Sequence, residues 1–160
     1  MTNNCAQAPR PGPQIFPRNL EHVAHLLPEM IKDLGNRIGL YEAFSIAKSI
    51  GGTSTYIPKN ESSETAQYLI QKLESKELAK ALIKNYGGEI LYIPRCSEAE
   101  RELRNIEIHC TAALGISAGR DMNSIVNELA LMHAISDRHV WRILKKPPSH
   151  PHPKITSETH

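Results

Sequence analysis

Seven side chains that can contact nucleic acid lie close together near the end of the chain. They are Ser136, Arg138, His139, Trp141, Arg142, Lys145 and Lys146. Arginine is the side chain best suited to guanine, because its planar guanidinium donates two parallel hydrogen bonds to the O6 and N7 atoms of that base. Arg138 and Arg142 are about one helical turn apart, so both can reach bases from the same face. We therefore predict that these two arginines read DNA sequence.

The other side chains of this group suit the DNA backbone better than the bases. Lys145 and Lys146 lie near the predicted end of the helix and can hold phosphates, which adds affinity rather than specificity. Ser136 is predicted to cap the helix and to offer its N-terminus to a phosphate. His139 can contact either a base acceptor or a phosphate. Trp141 has two interpretations of equal weight, a wedge against a sugar or thymine methyl group and a core residue packed on the preceding helix.

The elements that must position these side chains are two short helices joined by a tight turn, between residues 126 and 146. Ala130 is small where the helices pass close to each other, Ala134 is small at the turn, and Ile135 follows as an apolar plug. Three apolar residues then fall on one face of the second helix: Val140, Ile143 and Leu144. The pattern predicts a helix-turn-helix whose basic second helix enters the major groove. An ordinary helical hairpin with a solvated charged face is the alternative.

Composition restricts the class of protein. The chain has 160 residues, of which 40% are hydrophobic and 22% charged, as in soluble globular proteins. The formal net charge is only +2, so any DNA-binding charge must be local, and four basic residues stand against one acid between Asp137 and Lys146. No apolar run has membrane-spanning length and the polar start MTNNCAQAPRPG contains no signal-peptide core, so we expect a cytoplasmic, nucleoid-associated protein. The three cysteines lack metal-site spacing, and neither a metal nor a cofactor is expected.

An internal repeat is the second feature that organises the chain. Residues 51–59 read GGTSTYIPK, and residues 87–95 read GGEILYIPR at an offset of 36 positions. Each copy is predicted to end a helix at Gly-Gly, to form a short strand, and to stop at a proline that cannot donate to a ladder. Two strands this short form only a marginal sheet. They can pair within one chain or across a two-fold axis, and a sheet completed between two protomers is favoured.

The residues predicted to form that dimer interface are Gly51, Gly52, Tyr56, Ile57, Gly87, Gly88, Leu91, Tyr92 and Ile93. The predicted fold is accordingly mainly α with two short β-strands, divided into an N-terminal helix-strand dimerisation domain and a C-terminal helix-turn-helix domain. We expect a disordered proline-rich arm over residues 1–18, the dimerisation domain over 19–96, the DNA-binding domain over 97–147 and a disordered tail over 148–160.

A further helix is predicted to precede the helix-turn-helix, from Glu98 to about Leu114, as its packing partner. Either Asn123 or Ser124 is expected to cap the next helix, because both residue types are favoured at that position. Arg104 on the preceding helix is a candidate phosphate contact, with a solvated or capping role as an equal alternative.

Taken in order, these parts resemble the Mor/C family of transcription activators, known from Mu-like phages. The resemblance rests on GGTSTYIPK, on GGEILYIPRC, on the RNIEI run at residues 104–108, and on the helix-turn-helix that ends in HVWRILKK. It implies an intertwined homodimer whose helix-turn-helix domains bind an imperfect inverted repeat in a phage or prophage promoter. It also implies cooperation with host RNA polymerase to activate middle or late genes.

Two features depart from the family pattern. His133 and Ala134 stand where a Tyr-Gly type of turn is common, and residues 119–121 lengthen the loop before the helix-turn-helix. An alternative function is a protein-interaction module, an adaptor or inhibitor that keeps the fold without specific DNA binding. An enzyme is not expected, because no nucleophile elbow, metal-ligand spacing or carboxylate pair stands on a defined element.

Overall fold

The structure is a computed structural model that describes residues 17–147, with side chains from Leu20 onward. A 3-10 helix, Pro17–Leu26, precedes nine elements. These are α1 (Glu29–Ile38), α2 (Leu40–Ile50), β1 (Thr53–Tyr56), α3 (Glu64–Leu73), α4 (Lys76–Tyr86), β2 (Ile90–Ile93), α5 (Ser97–Ser117), α6 (Met122–Met132) and α7 (Asp137–Leu144). The predicted fold class, mainly helical with two short strands, is confirmed. The predicted terminal arm and tail fall almost wholly outside the described residues.

The described chain forms two compact units, residues 17–103 and residues 104–147. In the first unit, serine side chains cap two of the helices. The Ser63 hydroxyl accepts a hydrogen bond from the Ala66 N–H at 3.1 Å, and the Ser75 hydroxyl accepts one from the Leu78 N–H at 3.2 Å. Each cap satisfies an N–H that the helix itself leaves without a partner. The helices turn apolar faces inward; the innermost side chains include Ile31, Leu34, Ile46, Leu69 and Leu82.

The two strands pair with each other in antiparallel fashion within one chain, with Thr53 opposite Ile93 and Tyr56 opposite Ile90. The arrangement favoured from the sequence, a sheet completed between protomers, is not the one that the structure contains. The reason lies in the connection between the strands, because α3 and α4 fold as a second helical pair and return β2 beside β1. Ile57 and Ile93 are fully buried by their own chain.

In the second unit, the last part of α5 packs with α6 and α7 around a core of Ile108, Ala112, Ile125, Val126, Leu129, Val140 and Ile143. The helix α5 runs to Ser117, beyond the end predicted near Leu114. Gly115 does not stop it, because the glycine serves close packing: a Cβ at this position would lie 2.6 Å from the Ile125 side chain. The cap of α6 is Asp121, whose carboxylate accepts from the Ser124 N–H at 3.0 Å, and not Asn123 or Ser124.

Candidate nucleic-acid interface

The helix α7 is short, and a serine cap fixes its start. The Ser136 hydroxyl accepts a hydrogen bond from the His139 N–H at 3.2 Å, as the sequence predicted. One face of the helix is anchored, since Val140 is fully buried and Ile143 is nearly so. The opposite face is therefore held outward by packing rather than by its own helical propensity, which in eight residues is too small to maintain a helix.

The turn before α7 is tight and depends on one unusual backbone angle. His133 ends α6 by donating its N–H to the Leu129 carbonyl at 3.0 Å. Ala134 then takes a φ of +51°, in the left-handed region that glycine adopts most readily. The N–H of Ile135 closes the turn on the Ala130 carbonyl at 3.0 Å. Alanine therefore occupies this turn with some backbone strain that glycine would avoid.

An open surface depression covers the outer face of α7. It is lined by Ser136, Asp137, Arg138, His139, Trp141, Arg142, Lys145 and Lys146. All seven side chains that the sequence analysis selected for DNA contact therefore line one continuous surface. The eighth, Asp137, was not selected, although its position directly after the cap could have identified it.

Four of these side chains present positive charge to solvent. Arg138, Arg142, Lys145 and Lys146 are all exposed. Within residues 20–147, none of the four forms an ion pair with a carboxylate. The Asp137 carboxylate instead accepts from the Arg138 backbone N–H at 2.7 Å, so it supports the first turn of the helix. The guanidinium and ammonium groups are consequently available to an anionic partner.

Trp141 lies between the core of the second unit and the outer face of α7. Its side chain is half-buried and packs against the core of the second unit, beside Leu144. Part of the indole also lines the depression on the outer face. The residue therefore links the core to the exposed surface, and a partner seated on α7 would touch its outer edge.

Two neighbouring cations act on His139. Desolvation lowers the pKa of its imidazole, and the charges of Arg142 and Arg104 lower the pKa further. The imidazole is accordingly neutral at pH 7 in the free protein, with one nitrogen able to donate and the other able to accept. Arg104 lies on α5, in the same unit as α7. Its Nε is buried and has no hydrogen-bond partner in the described chain.

Behind the turn lies a buried pair of titratable groups that are far apart along the chain. The Nε2 atom of His133 is 4.0 Å from Oε2 of Glu107, and the two side chains are 2% and 16% exposed. Burial raises the pKa of Glu107. Desolvation, and secondarily the charge of Arg104, lowers the pKa of His133. In the sequence, His133 stands out only as a departure in the turn and Glu107 does not stand out at all, because the two residues are distant along the chain.

Among the described residues, no three histidine, cysteine or acidic side chains are grouped as metal ligands would be. No helix in that same range combines the length and the apolar character needed to cross a membrane.

Comparison with known proteins gives one match. The family model described as the Mor transcription activator family matches residues 65–150, a range that includes β2, α5, α6, α7 and every residue of the depression. Searches among curated proteins and among solved structures found nothing that matches the chain.

Proposed function

The chain belongs to the Mor transcription activator family, and we propose that it activates transcription by binding double-stranded DNA sequence-specifically through α7. The observation that carries this proposal is the outer face of α7, where two arginines and two lysines without carboxylate partners border one open depression. A helix anchored by one apolar face and basic on the other has the shape and charge of a major-groove reader. In this reading α6, the turn at Ala134 and α7 form a helix-turn-helix.

Within this surface, the side chains divide by chemistry. Arg138 and Arg142 would read guanines, because a fork of two donors matches the O6 and N7 acceptors in the major groove. Lys145 and Lys146, past the end of α7, would hold phosphates and contribute affinity at every sequence. Arg104, on α5 in the same unit as α7, would add a further phosphate contact.

The capped start of α7 would contribute to phosphate binding as well. The N-terminus of a helix attracts anions through its free N–H groups and its dipole. The Ser136 hydroxyl already satisfies the His139 N–H and the Asp137 carboxylate accepts from the Arg138 N–H, which leaves the Asp137 N–H for a phosphate. Asp137 opposes this attraction with its own negative charge.

One such helix covers only a few base pairs, so two copies of the chain would be needed for a promoter-length site. We propose that a homodimer occupies an imperfect inverted repeat in a phage or prophage promoter and acts there with host RNA polymerase. The resemblance of the sequence to the Mor/C family supports this part of the proposal. The protein would then work in the cytoplasm, on the nucleoid.

The experiment that tests the function is selection of bound duplexes from a random DNA pool, with the full chain as bait. The matched control is the double variant Arg138→Ala with Arg142→Ala, in which both lysines and the whole α7 core face are kept. We expect the natural chain to enrich one sequence motif and the variant to enrich none. Binding of the winning duplex should weaken steeply with salt, because each neutralised phosphate releases counterions.

Two results would contradict the proposal. If a folded chain enriches no sequence, specific DNA binding is refuted and an adaptor or inhibitor role becomes the better explanation. If the double variant enriches the same motif as the natural chain, then α7 is not the reader.

A further inference from the structure

The first unit is built twice from the same plan. The helices α1 and α3 have ten residues each, and α2 and α4 have eleven each. Leu40 and Lys76, which begin α2 and α4, stand 36 positions apart, the offset of the Gly-Gly repeat. Equivalent interior positions are buried in both copies, as in Ala43 with Ala79 and Ile57 with Ile93. Each copy is a unit of two helices followed by one strand.

The strand register relates the two copies by a two-fold rotation. Thr55 lies directly opposite Leu91, and these residues are equivalent under the offset of 36. A residue that faces its own equivalent marks the axis of a two-fold arrangement, as in an isologous dimer. Pairs on the two sides of this axis are also equivalent under the offset of 36. Thr53 faces Ile93 on one side, and on the other the Ile57 N–H donates to the Glu89 carbonyl at 2.8 Å.

The glycine turns repeat the symmetry in detail. The Gly52 N–H donates to the Ile93 carbonyl at 2.6 Å, and the Gly88 N–H donates to the Ile57 carbonyl at 2.7 Å. Both glycines have a positive φ, 85° and 94°, which explains why each copy needs glycine there. The long side chain after the proline of each copy also crosses to the glycine of the other: Arg95 lies against Gly52, and Lys59 lies against Gly88.

The helices exchange contacts in the same way. The helix α2 of the first copy contacts α3 of the second, and α1 of the first contacts α4 of the second. Across this second contact, the guanidinium of Arg37 lies 5.4 Å from the centre of the Tyr86 ring. Each copy therefore supplies the surface that covers the other.

From these relationships we propose that the first unit is a dimer fused into one chain. The strands of the two copies, β1 and β2, pair with each other, so the strand pairing that a homodimer would use is already complete inside the monomer. Leu91, Ile57 and Ile93, three of the residues selected from sequence for a dimer interface, are buried by their own chain, while Tyr56 and Tyr92 are exposed on the opposite face of the strands. The free protein is therefore a monomer, in which one α7 accompanies one complete pair of strands, β1 with β2.

This inference refines the proposed function and rests on it in one respect. If the chain reads an inverted repeat, its two copies meet on the DNA and not through a shared sheet. Binding to a duplex with both half-sites would then be cooperative, while a duplex with one half-site would hold one monomer.

The test is a disulfide between the strands of the full chain. Ser54 and Tyr92 lie opposite each other, and both are exposed. The double variant Ser54→Cys with Tyr92→Cys is made in a chain whose own cysteines are replaced by Cys5→Ser, Cys96→Ala and Cys110→Ala. The two single variants, Ser54→Cys and Tyr92→Cys, serve as matched controls. Circular dichroism and thermal melting establish that each variant folds.

Oxidation should convert the double variant into a species without free thiols that keeps the monomer mass of 17.9 kDa, and should leave the single variants as thiols. Sedimentation of the natural chain should give the same monomer mass. A covalent dimer from the double variant would show strands exchanged between chains and would overturn the proposal. A covalent dimer from Thr55→Cys alone, the position on the axis, would overturn it as well, because first copies would then be pairing with each other.

These measurements contain no DNA, so they stand apart from the proposed function. A monomer that enriches no DNA sequence refutes the function and leaves the fused dimer intact. A stable free dimer that enriches an inverted repeat refutes the fused dimer and leaves the function intact.

Discussion

The imidazole Nε2 of His133, in the turn before α7, lies 4.0 Å from the carboxylate Oε2 of Glu107 on α5. Neither atom has a hydrogen-bond partner in the described chain. The separation is too long for a hydrogen bond, and burial is the largest influence on both groups, since it raises the pKa of the carboxyl and lowers that of the imidazole. Arg104 and Cys110 complete this environment. Burial, and secondarily the charge of Glu107, raises the pKa of the Cys110 thiol.

We expect acid to destabilise the protein through His133. Its pKa is lowered from 6.5 on folding, so the unfolded chain binds more protons just below that pH. The free energy of unfolding must then fall as the pH drops from about 6.5 through the folded-state pKa. Urea unfolding at pH 7.5 and 5.5 measures this slope, and His133→Gln should make it shallower. An unchanged slope in His133→Gln would show that other groups cause the acid sensitivity.

Glu107 contributes to the pH dependence of stability with the opposite sign to His133. Because its pKa is raised from 4.5 by burial, the folded chain holds the carboxyl proton to higher pH than the unfolded chain does. Its contribution to stability is therefore present at low pH and is lost as the pH rises through the folded-state pKa. Glu107→Gln removes the buried charge and should stabilise the protein at pH 7.5 but not at pH 4. A loss of stability at pH 7.5 would mean that the carboxylate makes a favourable contact there.

Features that depend on local residue spacing, such as helix caps and apolar helix faces, could be predicted from the sequence. Features that depend on contacts between distant residues, such as strand pairing, could not. Helical periodicity identified the buried face of α7 with Val140 and Ile143, and the serine before α7 was recognised as its cap, because both signals are contained within a few residues. Strand pairing depends on where α3 and α4 return the chain, which no short pattern records. The length of α5 was underestimated because glycine commonly ends helices. In the fold, Gly115 instead lies within the helix, where its lack of a Cβ allows close packing against Ile125.

The surface of α7 was easier to predict than its surroundings. All of its selected side chains lie within eleven positions, from Ser136 to Lys146, and one turn geometry places them. The contact between His133 and Glu107 joins two elements, and its burial comes from the packing of α6 on α5. Residue type and spacing alone could not reveal it.

The strain at Ala134 makes a prediction about stability. A non-glycine residue in the left-handed region costs roughly 1–2 kcal/mol, while glycine adds about 0.5–1 kcal/mol of unfolded-chain entropy. We therefore expect Ala134→Gly to raise the free energy of unfolding by up to about 1 kcal/mol. Ala134→Val should lower it by at least about 1 kcal/mol, because a β-branched residue fits φ of +51° poorly. Equal stability of the two variants would show that the turn relaxes at this position.

We expect Arg142→Ala to lose specific DNA binding while the fold survives. A bidentate contact to guanine contributes roughly 1–3 kcal/mol, so the dissociation constant for the selected duplex should rise about 5- to 150-fold. Arg101→Ala is the matched control, since that arginine is exposed on α5 beside Glu98 and lies outside the depression. Titration by fluorescence anisotropy compares the two variants. An effect of Arg142→Ala within about threefold of the natural chain would remove Arg142 from base reading.

Ser136 allows the capping role to be separated from the proposed phosphate contact. Ser136→Ala removes the acceptor of the His139 N–H and should cost about 1 kcal/mol of stability. Ser136→Asp keeps a good cap, because aspartate accepts the same hydrogen bond, but it places a negative charge where the phosphate would lie. We expect Ser136→Asp to match the natural chain in thermal melting and to bind the selected duplex at least tenfold more weakly.

Thermal stability and DNA affinity, measured for both Ser136 variants, distinguish the capping role from the phosphate contact. If Ser136→Asp binds DNA as well as the natural chain, the start of α7 does not approach a phosphate, and serine is there for the helix alone. If Ser136→Ala loses DNA affinity without losing stability, the hydroxyl itself contacts DNA. The expected pattern is lower stability in the alanine variant and lower affinity in the aspartate variant, since packing anchors α7 on one face and its charged start would meet the DNA backbone on the other.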